Sequence, residues 1–162
     1  MPLDPHITVV VPVFNEEESL PTLQDEITRS LSPLGKPFEV VYVDDRSSDR
    51  SLAVLRELQR ADDRIRVIGL RARAGQTAAM AAGFDHARGE VVVTLDGDLQ
   101  NDPADIPLLL DALEAGADVV AGWRRDRQDG FILRRLPSLM ANHLIALVSG
   151  VGADKIMIVT QY

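Results

Sequence analysis

Apolar residues fall into short runs separated by longer segments of helical period. The runs are I-T-V-V-V-P-V-F (7–14), F-E-V-V-Y-V (38–43), R-I-R-V-I-G-L (64–70), V-V-V-T-L (91–95) and A-D-V-V-A-G (117–122). Each run predicts a strand, and the β-branched content and near-continuous apolarity of 91–95, with the similar run 7–14, predict strands buried on both faces there. Between them lie helical segments through Leu20, Leu23, Ile27 and Leu31, through Leu52, Leu55 and Leu58, over Thr77–Ala87, and through Ile106, Leu109, Leu110 and Leu113. Regular alternation of strand and helix predicts an α/β fold, a three-layer arrangement around a mostly parallel sheet, with the alternation complete at Gly122. Pro12 cannot donate to a ladder and marks a strand end or a local break. Gly89 is read as the C-cap of the third helix and Gly116 as the end of the fourth.

The polar residues that interrupt this pattern gather after the strands. The fourth run stops at Asp96-Gly97-Asp98. Open α/β sheets bind ligands beyond the carboxyl ends of their strands. Mg²⁺ takes one or two carboxylates together with substrate phosphate oxygens, and Asp96, Asp98 and Gln100 supply such a set; the plainer reading is an acidic turn. The first strand runs into Asn15-Glu16-Glu17-Glu18-Ser19, where the acids suit a first helical turn or one of them faces a ligand. The second ends in Asp44-Asp45-Arg46-Ser47-Ser48-Asp49. Asp49 is read as a helix cap, whereas Asp44 and Asp45 can accept the imino hydrogen of a base or hold a ribose. In the third loop Arg71 or Arg73 can reach a pyrophosphate.

Composition narrows the class. With 162 residues the chain is large enough for one domain with a real core, and its net charge of −8 argues against general nucleic-acid binding. No cysteine is present, which excludes disulfides and thiolate metal sites. No secretory leader is visible, and no window reaches the ~18 apolar residues needed to span a bilayer. After Gly122 the character changes. Five arginines stand between positions 124 and 135, beside an apolar helical pattern over 131–148 that is broken near Pro137. This suits either an anionic membrane surface or a helix packed on the domain with its arginines in solvent. The chain therefore divides into a core over 1–122 and an arginine-rich, helical and atypical end over 123–162 within the same domain. His6, His86 and His143 are read as surface or helix-face residues.

Four motifs follow in order: V-V-P-V-F-N-E-E-E-S-L (10–20), V-D-D-R-S-S-D (43–49), G-Q-T-A-A-M-A-A-G-F-D-H-A-R-G (75–89) and L-D-G-D-L-Q-N-D-P (95–103). Over about residues 6–151 the sequence resembles the family 2 glycosyltransferases of GT-A fold, and within them the polyprenyl-phosphate glycosyltransferases. The resemblance implies that Pro12, Phe14, Asn15 and Glu16 line a nucleotide pocket, with Asp44 and Asp45 on the base or ribose. It makes Asp96 and Asp98 a D-x-D pair for Mg²⁺ or Mn²⁺ with Gln100 alongside, and sets Arg124 near the donor phosphates or the acceptor. Arg71 and Gln76 complete the candidate nucleotide set. Relatives often carry Arg-Asn before the glycine matching Gly75, where this chain has Ala72-Arg73. The implied activity is inverting transfer of a sugar from a UDP- or GDP-linked donor to a polyprenyl phosphate, on the cytoplasmic face of a membrane and in cell-envelope synthesis. The ending G-A-D-K-I-M-I-V-T-Q-Y matches no part of the family pattern and reads as a truncated, frame-altered or diverged end. The nucleotide half of the site is complete in these motifs and the acceptor half is not. The alternative is thus a nucleotide-binding module without turnover. A haloacid-dehalogenase-type phosphatase also uses Asp-x-Asp, but at its first strand.

Overall fold

The computed structural model describes residues 4–117, 119–121 and 155–158. Arg124, and the arginine-rich and helical stretch expected over 124–148, lie outside the described residues. Six strands form one sheet: β1 (Ile7–Val13), β2 (Phe38–Asp44), β3 (Ile65–Gly69), β4 (Val91–Thr94), β5 (Val119–Ala121) and β6 (Lys155–Ile158). Their order is β3-β2-β1-β4-β6-β5, and every pair is parallel. The α-helices among the described residues are α1 (Leu20–Leu31), α2 (Ser51–Ala61), α3 (Gln76–His86) and α4 (Ile106–Glu114).

Period-two alternation within buried strands divides the core between the two faces. Val9, Val11, Tyr42 and Val93 pack with Leu23 and Ile27 of α1, Leu55 of α2 and Leu109 and Leu113 of α4. On the other face Val10 and Val92 meet Phe84, and Val41 and Val43 meet Ala79, both from α3. A three-layer α/β arrangement follows. Gly83 of α3 lies so close to Val10 that a methyl group there would overlap the valine.

Pro12 is the last residue but one of β1, opposite Val43 of β2, so it marks the strand's end and not a break. The β1–β4 register ends at Val10↔Thr94. Val13 O accepts from Asp45 N and Val10 O from Leu95 N. Alternation therefore turns Pro12 toward β4's side, beyond its last paired residue, where a missing N–H costs no ladder bond.

Three sequence expectations change. Glu16 to Glu18 precede α1 and are not in its first turn, which has no acidic residue. Gly89 does not cap α3, whose C-cap is Ala87. It is buried against β1, where a Cβ would stand 2.6 Å from Thr8 N. The alternation is not complete at Gly122, because β6 inserts between β4 and β5. Gly116 does end α4, with φ of 109°.

Candidate active site

Strand order reverses between β1 and β4, since β2 and β3 lie on one side of β1 and β4 on the other. Loops leaving neighbouring strands in opposite directions open a crevice at such a point. A cleft of about 370 Å³ lies there. β1 and its loop contribute Pro12, Val13, Phe14 and Glu16, and the residue just after β2 is Asp45. The β3–α3 connection contributes Arg73, Gly75, Gln76 and Ala79, and the turn after β4 contributes Asp96, Gly97 and Asp98.

Side-chain bonds fix these loops to one another. Asn15, with φ of 58°, turns its Oδ1 to accept from Ser48 N at 2.8 Å. Glu16 N donates to Ser51 Oγ at 2.8 Å, and Glu17 N to Asp49 Oδ2 at 3.2 Å. Asp49 also accepts from Ser51 N, the first residue of α2, at 2.9 Å, but the N-cap position expected for it is taken by Arg50. Ser19 Oγ lies 2.6 Å from Gly97 O, fastening the β1 loop to the β4 turn. Asp45 is buried and accepts from Ala74 N at 2.7 Å and Gly75 N at 2.8 Å. Gln76 Nε2 donates to Asp96 Oδ1 at 2.8 Å, Asn101 Nδ2 faces Asp96 Oδ2 at 3.4 Å, and Gln100 N donates to Asp98 Oδ1 at 3.0 Å. The Arg73 guanidinium stacks on the Phe14 ring, 3.9 Å from its centre.

The electrostatics are those of crowded acids. Burial, then the charges of Asp98, Asp96 and Asp49, push the Glu16 carboxyl up to about 7. Burial and Asp98 also raise Asp96, against the bonds from Asn101 and Gln76. Glu16 Oε2 is buried without a hydrogen-bond partner. It lies over Gly97 so closely that a methyl group there would overlap it, so a side chain between the two aspartates would displace the Glu16 carboxylate from its place in the cleft. Among the described lining residues four carboxylates face one cation, Arg73. Among the described residues no three acidic or histidine side chains converge as a ready metal cage. Two aspartates that leave the remaining positions to phosphate and water are what Mg²⁺ and similar ions use. An orphaned buried carboxylate oxygen beside them fits a cation as well.

Of the residues expected in the site, Pro12, Phe14, Glu16, Asp45, Gln76, Asp96 and Asp98 come together. Asn15 braces the loops instead, and Asp44 is buried, its carboxylate turned to Ser47 N. Gln100 and Arg71 are exposed, and neither lines the cleft. Arg73 lines it in place of Arg71, and the departure from the family's Arg-Asn pair was the signal that marked this loop as unusual.

The glycosyl transferase family 2 model matches residues 8–158, and the chain belongs to that family. The match continues past residue 151, where the motif resemblance stops, and includes β6. Among curated relatives, the dodecaprenyl-phosphate galacturonate synthase of Rhizobium johnstonii is 43% identical over 147 residues, covering 90% of this chain and 44% of the relative. The undecaprenyl-phosphate 4-deoxy-4-formamido-L-arabinose transferase of Edwardsiella ictaluri is 45% identical over 145 residues, covering 89% and 44%. The chain thus spans less than half the length of these relatives. The fold is that of GT-A glycosyltransferases. The mannosyltransferase PcManGT from Pyrobaculum calidifontis, solved with GDP-Man and Mn²⁺, superposes with a TM-score of 0.61 at 29% identity, covering 75% of this chain and 36% of that one. The S. aureus TarS 1-349 structure with UDP-GlcNAc gives 0.61 at 26% identity, covering 78% and 37%.

Proposed function

We propose that the chain carries the donor half of a metal-dependent, inverting glycosyltransferase that moves a sugar from a nucleoside-diphosphate sugar to a polyprenyl phosphate. The observation that carries this reading is the cleft at the β1/β4 reversal, where Asp96 and Asp98 face Glu16 and Gln76. The relatives' names supply the acceptor class, and the GDP-Man and UDP-GlcNAc complexes the donor class.

Asp96 and Asp98 would hold Mg²⁺ or Mn²⁺, with Gln100 shaping the turn through its backbone bond to Asp98. A bound divalent ion supplies neutralisation of the charge that grows on the leaving diphosphate. Phe14 and Arg73 form the wall for the base, on the β2 and β3 side of the cleft, with Asp45 behind them. An acceptor phosphate oxygen, already anionic near neutral pH, forms the new bond to the anomeric carbon from the face opposite the diphosphate. The carbon–oxygen bond to the diphosphate breaks, and its electron pair leaves on the nucleoside diphosphate. Such a nucleophile needs no general base. Arg124 belongs to this reading as a contact to the donor phosphates or the acceptor. The lipid acceptor sets the reaction at a membrane surface, on its cytoplasmic side, while no helix among the described residues is long and apolar enough to cross one.

Calorimetric titration of UDP and GDP, each with and without Mn²⁺, tests the donor half. One of the two binds the full chain in a metal-dependent manner. Asp96→Asn with Asp98→Asn abolishes that binding while circular dichroism is unchanged. Undiminished metal-dependent binding by the double variant would sink the assignment.

A further inference from the structure

We propose that Gln76 is a positioning residue for Asp96. Its side-chain amide, delivered by a loop that Asp45 ties down, holds the carboxylate in the orientation a divalent cation needs. This rests on the reading that Asp96 and Asp98 are the cation's ligands.

The two aspartates are held very differently. Asp98 is exposed, and its side chain accepts from Gln100 N inside its own turn. Asp96 is half-buried and held from two directions, by Gln76 Nε2 at 2.8 Å on Oδ1 and by Asn101 Nδ2 at 3.4 Å on Oδ2. Asn101 belongs to the same turn. Gln76 does not: it comes from the start of α3, on the far side of β1, and reaches across the sheet's carboxyl edge.

Its reach depends on where α3 begins. Gly75 directly precedes Gln76 and has φ of 90°, a conformation that side chains rarely adopt. Gly75 N and Ala74 N both end on the buried Asp45 carboxylate at the end of β2. A continuous bonded path thus runs from β2 through the α3 entry to the β4 turn.

Residue type supports the role. A carboxylate has about four acceptor sites, so one amide donor on each oxygen orients Asp96 and still leaves room for a ligand. A lysine or arginine in place of Gln76 would neutralise Asp96 and compete with a cation, whereas an amide orients without removing charge. Groups that orient a metal's ligands commonly change affinity by about 10–100-fold when lost.

The test is Mn²⁺ titrated into the full chain and followed by its electron paramagnetic resonance signal, alone and in the presence of UDP or GDP. Gln76→Met keeps length and removes the amide; Gln76→Ala removes both. The side chain is exposed, so both variants melt at the wild-type temperature. Both weaken Mn²⁺ by about tenfold and to the same extent, because the amide and not the bulk is lost. A Gln76→Met protein with Mn²⁺ affinity within about twofold of wild type overturns the proposal and leaves the metal reading standing. A folded wild-type chain that takes up no Mn²⁺ in any of these titrations overturns the metal reading, and this inference with it.

Discussion

At the scale of single residues, the site's motifs were legible because each is local. Asp96, Gly97 and Asp98 sit at a strand end that any reading of the apolar run would find. That Gly97 leaves room for the Glu16 carboxylate was not legible, because Glu16 lies 81 positions earlier and meets it only through the fold. The same holds for Asp45 with Gly75 and for Arg73 with Phe14. Glu16 also gives the clearest pH signature. Burial and the neighbouring Asp98, Asp96 and Asp49 raise its carboxyl from 4.5 to about 7, so the folded chain binds this proton more tightly than the unfolded chain does. The associated stability is complete below about 4.5 and lost as pH rises through about 7. Glu16→Gln stays neutral throughout. In the absence of metal it should match wild type near pH 4 and become more stable than wild type at pH 8, by on the order of 1 kcal/mol once partial exposure is allowed for. Mn²⁺ should narrow the gap at pH 8 by favouring the charged carboxylates. Thermal melts across this range check it, and a gap that does not vary with pH would contradict the account.

At the scale of elements, strands and helices of normal length were readable from period and punctuation, and their ends shifted by only a residue or two. A buried charge inside a strand was not interpretable in that way. Glu39 in F-E-V-V-Y-V faces the α3 side of β2 at the amino end of the sheet, and its partners come from elsewhere. Arg88 donates from Nε to Oε2 at 3.0 Å and from its backbone N to Oε1 at 3.0 Å, and Thr8 Oγ1 donates to Oε1 at 2.9 Å. Gly89 N then donates to Thr8 Oγ1 at 2.8 Å. Burial pushes the Glu39 carboxyl up, but the bonds from Arg88 and Thr8 outweigh it and hold the group below its ordinary value. This cluster pins the α3–β4 connection onto β1 and β2, and so sets where β4 enters the sheet. Arg88→Met removes the side-chain partner and keeps the backbone bond, and Arg66 remains 3.4 Å from Oε2. The expected cost is about 2 kcal/mol, below that of a fully orphaned buried charge. Because the cluster lies at the end of the sheet opposite the cleft, nucleotide affinity of the folded variant should be unchanged. Denaturant unfolding and calorimetry on the same sample separate the two, and a variant that loses affinity while keeping its stability would refute the division.

At the scale of the whole molecule, the sheet is not assembled in chain order. Three strands add outward from β1 to β3, β4 takes the other side, and β6, the last of the described strands, inserts between β4 and β5. K-I-M-I is four residues long, too short for periodicity to tell strand from helix, and its neighbours in the sheet lie more than 30 residues away. That is why the end of the chain read as foreign to the fold when it supplies an interior strand. β6 pairs residue by residue with Val91–Thr94 on one side and Val119–Ala121 on the other. Asp96 and Asp98 follow the end of β4, so β6 supports the aspartate side of the cleft from the flank that β1 does not cover. A chain stopped at Gly150 removes this strand. Among the described residues β4 then has a free edge and β5 loses its strand partner. Hydrogen exchange should rise sharply in β4 and β5, and less in α4, which also packs on α1, while β2 and the β2-facing side of β1 keep their protection. The open edge should also promote self-association, since unpaired strand edges template further pairing. Metal-dependent nucleotide binding should weaken along with β4 protection, because the turn that holds both aspartates starts where that strand ends. If β4 amides in the shortened chain exchange as slowly as in the full one, the sheet order does not carry this coupling, and support for the cleft from the β6 side must be discarded.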